Sequence, residues 1–444
     1  MKIEQFEDKY LSHFSYAILD EQDRNVILID PSRDTGPYYQ FAREHDARIT
    51  AVIETHSHAD FVSSHLEFAK AGAAVYVSKD MPAQYVHSSF DEGNSINTSE
   101  FTLKAINTPG HSNDSISVIL EAEGKDIAIF TGDTLFIGDV GRPDLRETQK
   151  NAAVLREDLA SKMYHSLRNK ILPLADDVIV YPAHGAGSLC GKSLSKANSS
   201  TIGRERISNW ALQESSENDF IEKLTSSQPF IPAYFPYDVE TNLEGAPSFR
   251  ESVVAVPRTD SVPPIVSSEL WIVDSRPEGI FKKGHLPHSV NIMEGEKFET
   301  WLGSIIRPQE RFLLAGENEE QLDRLIKRAA SIGYEKLIEK TFLLKEGPVS
   351  TAPLNIEDFK KNKDHYTIVD IRNTAEVNEK KIFEEALTIP LPELRNRIAE
   401  VPVDKPIVVH CAAGYRSAAG SSILAAELAD KAAVYDLGET IKDF

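Results

Sequence analysis

Only two cysteines, Cys190 and Cys411, occur in 444 residues. A disulfide framework is therefore excluded and a reducing compartment is expected. Basic residues are also scarce: 48 Lys and Arg stand against 69 Asp and Glu, a formal net charge of −21. That balance argues against nucleic-acid binding and against docking on an anionic membrane. It also means that an anionic substrate would need a local basic pocket. Long apolar runs are missing too, so no transmembrane helix is predicted. The N-terminal stretch MKIEQFEDKYLSHFSYAILDEQDRN carries acidic residues throughout and no apolar signal core. The expected location is cytoplasmic. What remains is a chain long enough for two to four domains, with an ordinary 41% hydrophobic content.

In the first half, apolar strands end in loops that bear His or Asp. Strands are predicted at Tyr16–Leu19, Val26–Ile29, Ile49–Ile53, Ala74–Val77, Phe101–Ile106, Ser115–Leu120, Ile127–Phe130 and Val178–Tyr181. Helices are predicted at Gly36–His45, Ser63–Ala71 and Asn151–Leu167. The strand into Thr55 is followed by His56-Ser57-His58-Ala59-Asp60. Two imidazoles and a carboxylate at alternate positions past a strand end can converge on one metal ion. His111, Asp133 and His184 follow later strands in the same way. Six such residues at strand-end loops point to a transition-metal site; His65 is set aside because it falls in a predicted helix.

This His-x-His-x-Asp motif, with the later His, Asp and His, resembles the metallo-β-lactamase superfamily over about residues 1–230. The resemblance implies an αββα sandwich with the metal at one edge of its two sheets. One departure matters: dinuclear zinc members follow the motif's Asp with His, and here Phe61 stands there. Phenylalanine donates nothing to a metal. Gly132-Asp133-Thr134-Leu135-Phe136-Ile137-Gly138-Asp139-Val140-Gly141-Arg142-Pro143-Asp144-Leu145 is similar to the persulfide dioxygenase branch of that superfamily. The branch implies one Fe(II) per chain on His56, His111 and Asp133, a two-His, one-carboxylate set with open positions for O₂ chemistry. His58, Asp60 and His184 would then stand behind the ligands, orienting them or helping to hold substrate and O₂. Arg142 is the candidate contact for a substrate anion. Cys190 reads as a small buried hydrophobe or as a residue lining the mouth of the site.

From Ser215 to Ser268 the chain turns rich in Ser, Pro and acidic residues and reads as a linker or irregular arm, with Pro229, Pro232, Pro236, Pro247, Pro257, Pro263 and Pro264. Beyond it lies an internal repeat. Leu270-Trp271-Ile272-Val273-Asp274-Ser275-Arg276 matches Tyr366-Thr367-Ile368-Val369-Asp370-Ile371-Arg372, and Arg311–Ala315 matches Pro406–His410. Helices are predicted after each, at Gln321–Ile332 and Ala418–Ala429, and the alternation implies two small α/β domains with mostly parallel sheets. In the second copy a strand delivers Cys411 into Ala412-Ala413-Gly414-Tyr415-Arg416-Ser417. Small residues there let backbone N–H groups point inward at a helix start, and Arg416 adds a positive charge; both stabilise a thiolate or a persulfide.

This loop and Asp370-x-Arg372 resemble the rhodanese sulfurtransferases. Cys411 and Arg416 stand five positions apart, one fewer than in phosphatases of that fold, which favours sulfur over phosphate. Cys411 and Arg416 are the expected catalytic pair, with Ala412, Ala413, Gly414 and Tyr415 lining the substrate. The first copy also resembles rhodanese, with Asp274-x-Arg276 and Gly284-His285-Leu286-Pro287. Its loop, Ala315-Gly316-Glu317-Asn318-Glu319-Glu320, has no cysteine and is expected to be catalytically inactive.

The expected organisation is an α/β and α+β multidomain chain: residues 1–250 as the metal domain with an arm, 262–347 as the inactive copy and 352–444 as the active sulfurtransferase. The combination resembles bacterial sulfide-detoxification fusions. It implies a low-molecular-weight persulfide, O₂, thiosulfate and sulfite as small-molecule partners, and a homo-oligomer. The alternatives are a dinuclear zinc glyoxalase II-like thioesterase fused to a sulfurtransferase, and a non-enzymatic sulfur carrier or docking module.

Overall fold

The computed structural model describes residues 1–145, 152–226, 228–262, 270–428 and 430–444. It forms two compact units, residues 1–251 with 331–333, and 252–330 with 334–444.

The first unit contains two six-stranded sheets. One holds β1 (Lys2–Asp8), β2 (His13–Asp20), β3 (Asn25–Ile29), β4 (Arg48–Ile53), β5 (Ala74–Val77) and β6 (Ser88–Ser89) in sequential order. The other holds β7 (Ser95–Asn97), β8 (Thr102–Asn107), β9 (Ile116–Ala122), β10 (Lys125–Gly132), β11 (Ile179–Pro182) and β12 (Ser200–Thr201), again in order. Side chains alternate across a strand, and here both faces are buried. Tyr16 and Ile18 of β2 pack with Val118 and Leu120 of β9 between the sheets. Their neighbours Ala17 and Leu19 pack outward with Tyr38, Phe41 and Phe68, under the helices Gly36–Glu44 and His65–Lys70. On the other sheet, Ile119 and Ile129 pack against Ala160 and Met163 of the helix Ala152–Ser166. The layers are therefore helix, sheet, sheet, helix, and the αββα expectation holds.

Two readings need correction. β1 was not anticipated, because its charged residues hide the alternation in KIEQFED. The arm from Ser215 is not irregular: it forms helices at Glu217–Thr225, Phe235–Glu244 and Phe249–Val254. Ser216 caps the first by accepting the Asp219 N–H. Pro236 occupies the first turn of the second, where its missing N–H costs nothing. The start of the predicted helix at Asn151, Pro263 and Pro264 of the arm, and Ala429 at the end of the last helix lie outside the described residues.

The second unit contains two four-stranded parallel sheets. The first holds β13 (Trp271–Asp274), β14 (Ser289–Asn291), β15 (Phe312–Gly316) and β16 (Ile338–Leu343) in the order β14-β13-β15-β16. The second holds β17 (Thr367–Asp370), β18 (Leu387–Thr388), β19 (Ile407–His410) and β20 (Val434–Asp436) in the order β18-β17-β19-β20. The two orders are the same, as the repeat requires. The Asp-x-Arg marks explain themselves: Arg276 and Arg372 fold back onto Asp274 and Asp370 with Nη2–Oδ2 distances of 2.7 and 2.6 Å. Each guanidinium also donates to a carbonyl eight residues on, of Gly284 and Lys380 respectively. Each pair pins the exit of its strand.

Leu120 is fully buried between the two sheets of the first unit. Leu120→Ala is expected to destabilise that unit by about 2–5 kcal/mol. Chemical denaturation of the full chain checks this; an unchanged first transition would contradict the sandwich.

Candidate metal centre

β4 ends at Ile53, and the next residues turn inward at the edge of the sheets. Asp30, at the end of β3, organises them. Its Oδ1 accepts the Thr55 N–H at 2.7 Å and its Oδ2 accepts the Thr55 hydroxyl at 2.8 Å. The Thr55 oxygen, its own proton spent on Asp30, accepts Nδ1–H of His56 at 3.0 Å. That fixes the tautomer of His56 and leaves Nε2 as its ligating atom. A second carboxylate ties this loop to the next: Asp114 Oδ2 accepts both the N–H and the hydroxyl of Ser57.

His111 is held by the same device. Its Nδ1 meets the carbonyl of Arg142 at 2.8 Å. His184, after β11, sets Nδ1 against the carbonyl of Ser12 at 3.1 Å. In each case a backbone or hydroxyl oxygen takes the Nδ1 proton, and Nε2 faces the centre.

Ligand atoms of His56, His111 and Asp133 lie within 4.8 Å of one another, and all three residues are buried. Asp133 Oδ2 stands 4.0 Å from His56 Nε2 and 3.6 Å from His111 Nε2. Neither carboxylate oxygen of Asp133 has a hydrogen-bond partner among the described residues. A buried carboxylate in that state calls for a cation. The donor set of two imidazoles and one carboxylate suits a divalent first-row metal, so the residues fit the group.

The other residues of the motif separate. His58 turns away: its Nε2 lies 3.1 Å from both Asp30 Oδ1 and Glu54 Oε2. Burial opposes its charge, but the two carboxylates outweigh burial and hold its pKa well above the usual value. Burial pushes Glu54 up to about 7. Phe61 packs against the ring of His58 with centroids 4.4 Å apart and against His13 at 3.9 Å. The motif thus does not converge as a whole. Asp60 stays near the centre, with Oδ2 3.3 Å from His184 Nε2, and that nitrogen lies 3.4 Å from Asp133 Oδ1. Cys190 joins Asp60 and His184 in a second buried group of donors within 4.8 Å. Burial, then Asp60 and Asp133, raise its thiol well above the ordinary range.

Arg142 departs from expectation. It is 1% exposed and bidentate to Asp144, with Nε–Oδ1 at 2.6 Å and Nη2–Oδ2 at 2.7 Å. Its Nη1 donates to the carbonyl of Leu189. A guanidinium so engaged is placed to hold its own carbonyl on His111, not to receive a substrate anion. Gly141 beside it is required: a Cβ there would meet the Asp133 carbonyl oxygen at 2.0 Å. The Gly-Arg-x-Asp segment is therefore a brace behind His111 and Asp133. Asp30, Glu54, Thr55 and Asp114 were not singled out from the sequence as parts of the site. Asp30, at a strand end, carried the one usable signal.

In the second unit, β19 delivers Cys411, which is 1% exposed. Gly414, at φ +104°, turns its N–H onto Cys411 Sγ at 3.1 Å. Ala412 and Ala413 form the exposed tip of the loop. Tyr415 donates its hydroxyl to the Met293 carbonyl at 2.6 Å. Arg416 pairs with Glu376. In the first copy, Gly316 occupies the place of the cysteine, and the next residue, Glu317, sets its N–H on Gln321 Oε1.

Thr55→Val removes the acceptor of the His56 Nδ1 proton. Metal affinity, measured by chelator competition, is expected to fall roughly 10–100-fold. Unchanged affinity would mean that His56 needs no such support.

Residues 10–184 match the metallo-beta-lactamase superfamily model, and residues 355–440 match the rhodanese-like domain. Over 175 residues the chain is 31% identical to the mitochondrial persulfide dioxygenase ETHE1 of Homo sapiens, covering 38% of this chain and 63% of that one. The chain thus spans somewhat less than two thirds of this relative's length. Against the hydroxyacylglutathione hydrolase of Dictyostelium discoideum it is 26% identical over 39% of this chain and 62% of the relative. A crystal structure of a metallo-beta-lactamase from Staphylococcus aureus subsp. aureus COL superposes with a TM-score of 0.68 and 32% identity, covering 77% of this chain and 99% of that one. With its sandwich, its ligand set and its cysteine loop in place, the chain belongs to the metallo-β-lactamase superfamily and carries a rhodanese-like domain behind it.

Proposed function

We propose that the chain is a non-haem Fe(II) persulfide dioxygenase joined to a rhodanese sulfurtransferase. One observation carries the reading: His56, His111 and Asp133 gather their ligand atoms while His58 is drawn off to Asp30 and Glu54 and Phe61 fills the neighbouring ligand position. One ion per chain is expected there. Fe(II) held by these three residues would supply the electrons and the open positions that oxidation of a persulfide by O₂ requires. The chain's own contribution is positioning. Thr55 and the Arg142 carbonyl aim the two imidazoles, and burial keeps bulk water from the reacting sulfur. Asp60 and His184, facing Asp133, stand where they can orient a ligand or hold a proton near the substrate. The products are sulfite and a thiol.

In the second unit the Cys411 thiolate would attack the outer sulfur of a persulfide, forming Cys411–S–S⁻ as the donor's S–S bond breaks and its thiol leaves with the proton. Gly414 N–H is placed to stabilise the charge on sulfur, and Arg416, with the loop residues Ala412, Ala413 and Tyr415, would receive the substrate. Attack of sulfite on the outer sulfur would release thiosulfate and restore the Cys411 thiolate. The two reactions share a persulfide and sulfite, which is a chemical reason for one chain to hold both. The reading places residues 1–250, 262–347 and 352–444 as dioxygenase, inactive copy and sulfurtransferase. It also places the protein in the cytoplasm as a homo-oligomer.

A second reading has one observation in its favour. Asp60, His184 and Cys190 form a further donor group beside Asp133, which a dinuclear zinc thioesterase would use. Metal analysis separates the two: about one iron per chain supports the dioxygenase, and two zinc ions with thioester cleavage would replace it.

Cys411→Ser is expected to abolish sulfur transfer from thiosulfate and leave persulfide-dependent O₂ uptake measurable. Asp133→Ala should do the reverse, losing iron and O₂ uptake while Cys411 still loads sulfur. Oxygen-electrode and sulfurtransfer assays on the full chain read both. Loss of both activities in either variant would contradict two separate centres.

A further inference from the structure

Arg416 is the sole basic residue in the loop 411–417, and its guanidinium is already paired with a carboxylate. Its Nη1 and Nη2 donate to Glu376 Oε2 and Oε1 at 2.5 and 2.7 Å, a two-point match of guanidinium and carboxylate. The guanidinium also lies over the Trp301 ring, 5.9 Å from its centroid. Arg372, just past the end of β17, is committed to Asp370 and to the Lys380 carbonyl. The mouth of the cysteine loop is thus electrically balanced before any donor arrives. Glu376 does not stray into this position. It is the third residue of the helix Thr374–Glu379, where its carboxylate also accepts the Asn373 N–H at 3.1 Å and closes a capping box. The cap fixes the carboxylate, and the carboxylate fixes Arg416.

We infer that Glu376 is the specificity-determining residue of the sulfurtransfer site, discriminating against doubly charged sulfur donors. The inference rests on the sulfurtransferase reading of Cys411. A thiosulfate dianion must compete with Glu376 for Arg416 and must enter beside its carboxylate. A singly charged donor, such as a thiol persulfide or an organic thiosulfonate, meets half of that repulsion. The site is therefore biased toward loading Cys411 from persulfides and toward releasing thiosulfate once it forms. In either case the atoms balance: the Cys411 thiolate forms the new S–S bond, and thiosulfate loses sulfite, a thiosulfonate loses sulfinate, and a persulfide loses thiol.

The test is Glu376→Gln in the full-length protein. Glutamine satisfies the capping box as glutamate does, so the helix start is kept while the charge is removed. Donor kinetics are compared for thiosulfate and for methanethiosulfonate, which carries one charge. The expected result is a gain of about tenfold in kcat/KM for thiosulfate, mostly through KM, with a clearly smaller gain for methanethiosulfonate. Equal changes for the two donors, or a loss for both, would overturn the proposal and leave Glu376 a structural cap. Thiosulfate binding is measured by calorimetry on Cys411→Ser with and without Glu376→Gln. This readout needs no turnover, so it stands even where the sulfurtransferase reading fails. Tighter binding in the double variant supports the inference, and unchanged binding sinks it.

Discussion

Asp30 organises the cluster of His56, His111 and Asp133 although it is not one of the three. One of its oxygens takes the Thr55 hydroxyl, which turns His56 inward; the other takes the Thr55 N–H and draws His58 outward. A single carboxylate thereby turns one imidazole of the motif toward the cluster and the other away from it. Glu54 reinforces the choice from the far side of His58, and the Phe61 ring packs on the same imidazole. Two carboxylates around one buried imidazole favour its cation. Which motif side chains face the cluster depends on groups that a list of motif residues omits.

The legible parts of the chain were those with local signatures. Strand ends bearing His and Asp, the Asp-x-Arg repeat and the cysteine loop each announce themselves within about ten residues, because each depends on the period of a strand and the chemistry of one turn. The sandwich and the gathering of His56, His111 and Asp133 were therefore readable. The supporting contacts were not, because they span sequence distance: Asp30 reaches Thr55, Asp114 reaches Ser57, and the Arg142 carbonyl reaches His111. Arg142 shows the limit most clearly. Its charge suggested an anion contact, but burial beside Asp144 spends the guanidinium on holding a backbone carbonyl in place. The arm after Ser215 failed for a different reason. Proline reads as a breaker when counted by composition, but Pro236 stands in a helix's first turn, where proline is at home.

The two halves of the second unit divide one architecture unequally. Both keep the buried Asp-Arg pair at the end of their leading strand, and both place a loop after the third strand of the sheet order. Only the second keeps sulfur there. The first instead supplies surroundings: the Met293 carbonyl receives the Tyr415 hydroxyl, Trp301 lies beneath Arg416, and Glu310 pairs with Arg395. The copy without a cysteine acts as a wall, and its ring and carbonyl hold the Cys411 loop of the other.

That duplication also has a bearing on how the chain reaches its native state. Two four-stranded sheets of the same order, with leading strands that read WIVD and TIVD, offer each other's partners nearly equivalent edges during folding. Parallel pairing forms late, because each strand must wait for the helix between. Adjacent repeats in that situation are prone to exchange strands and trap one another. Divergence of the two copies away from their strands is the feature that tells their otherwise equivalent edges apart.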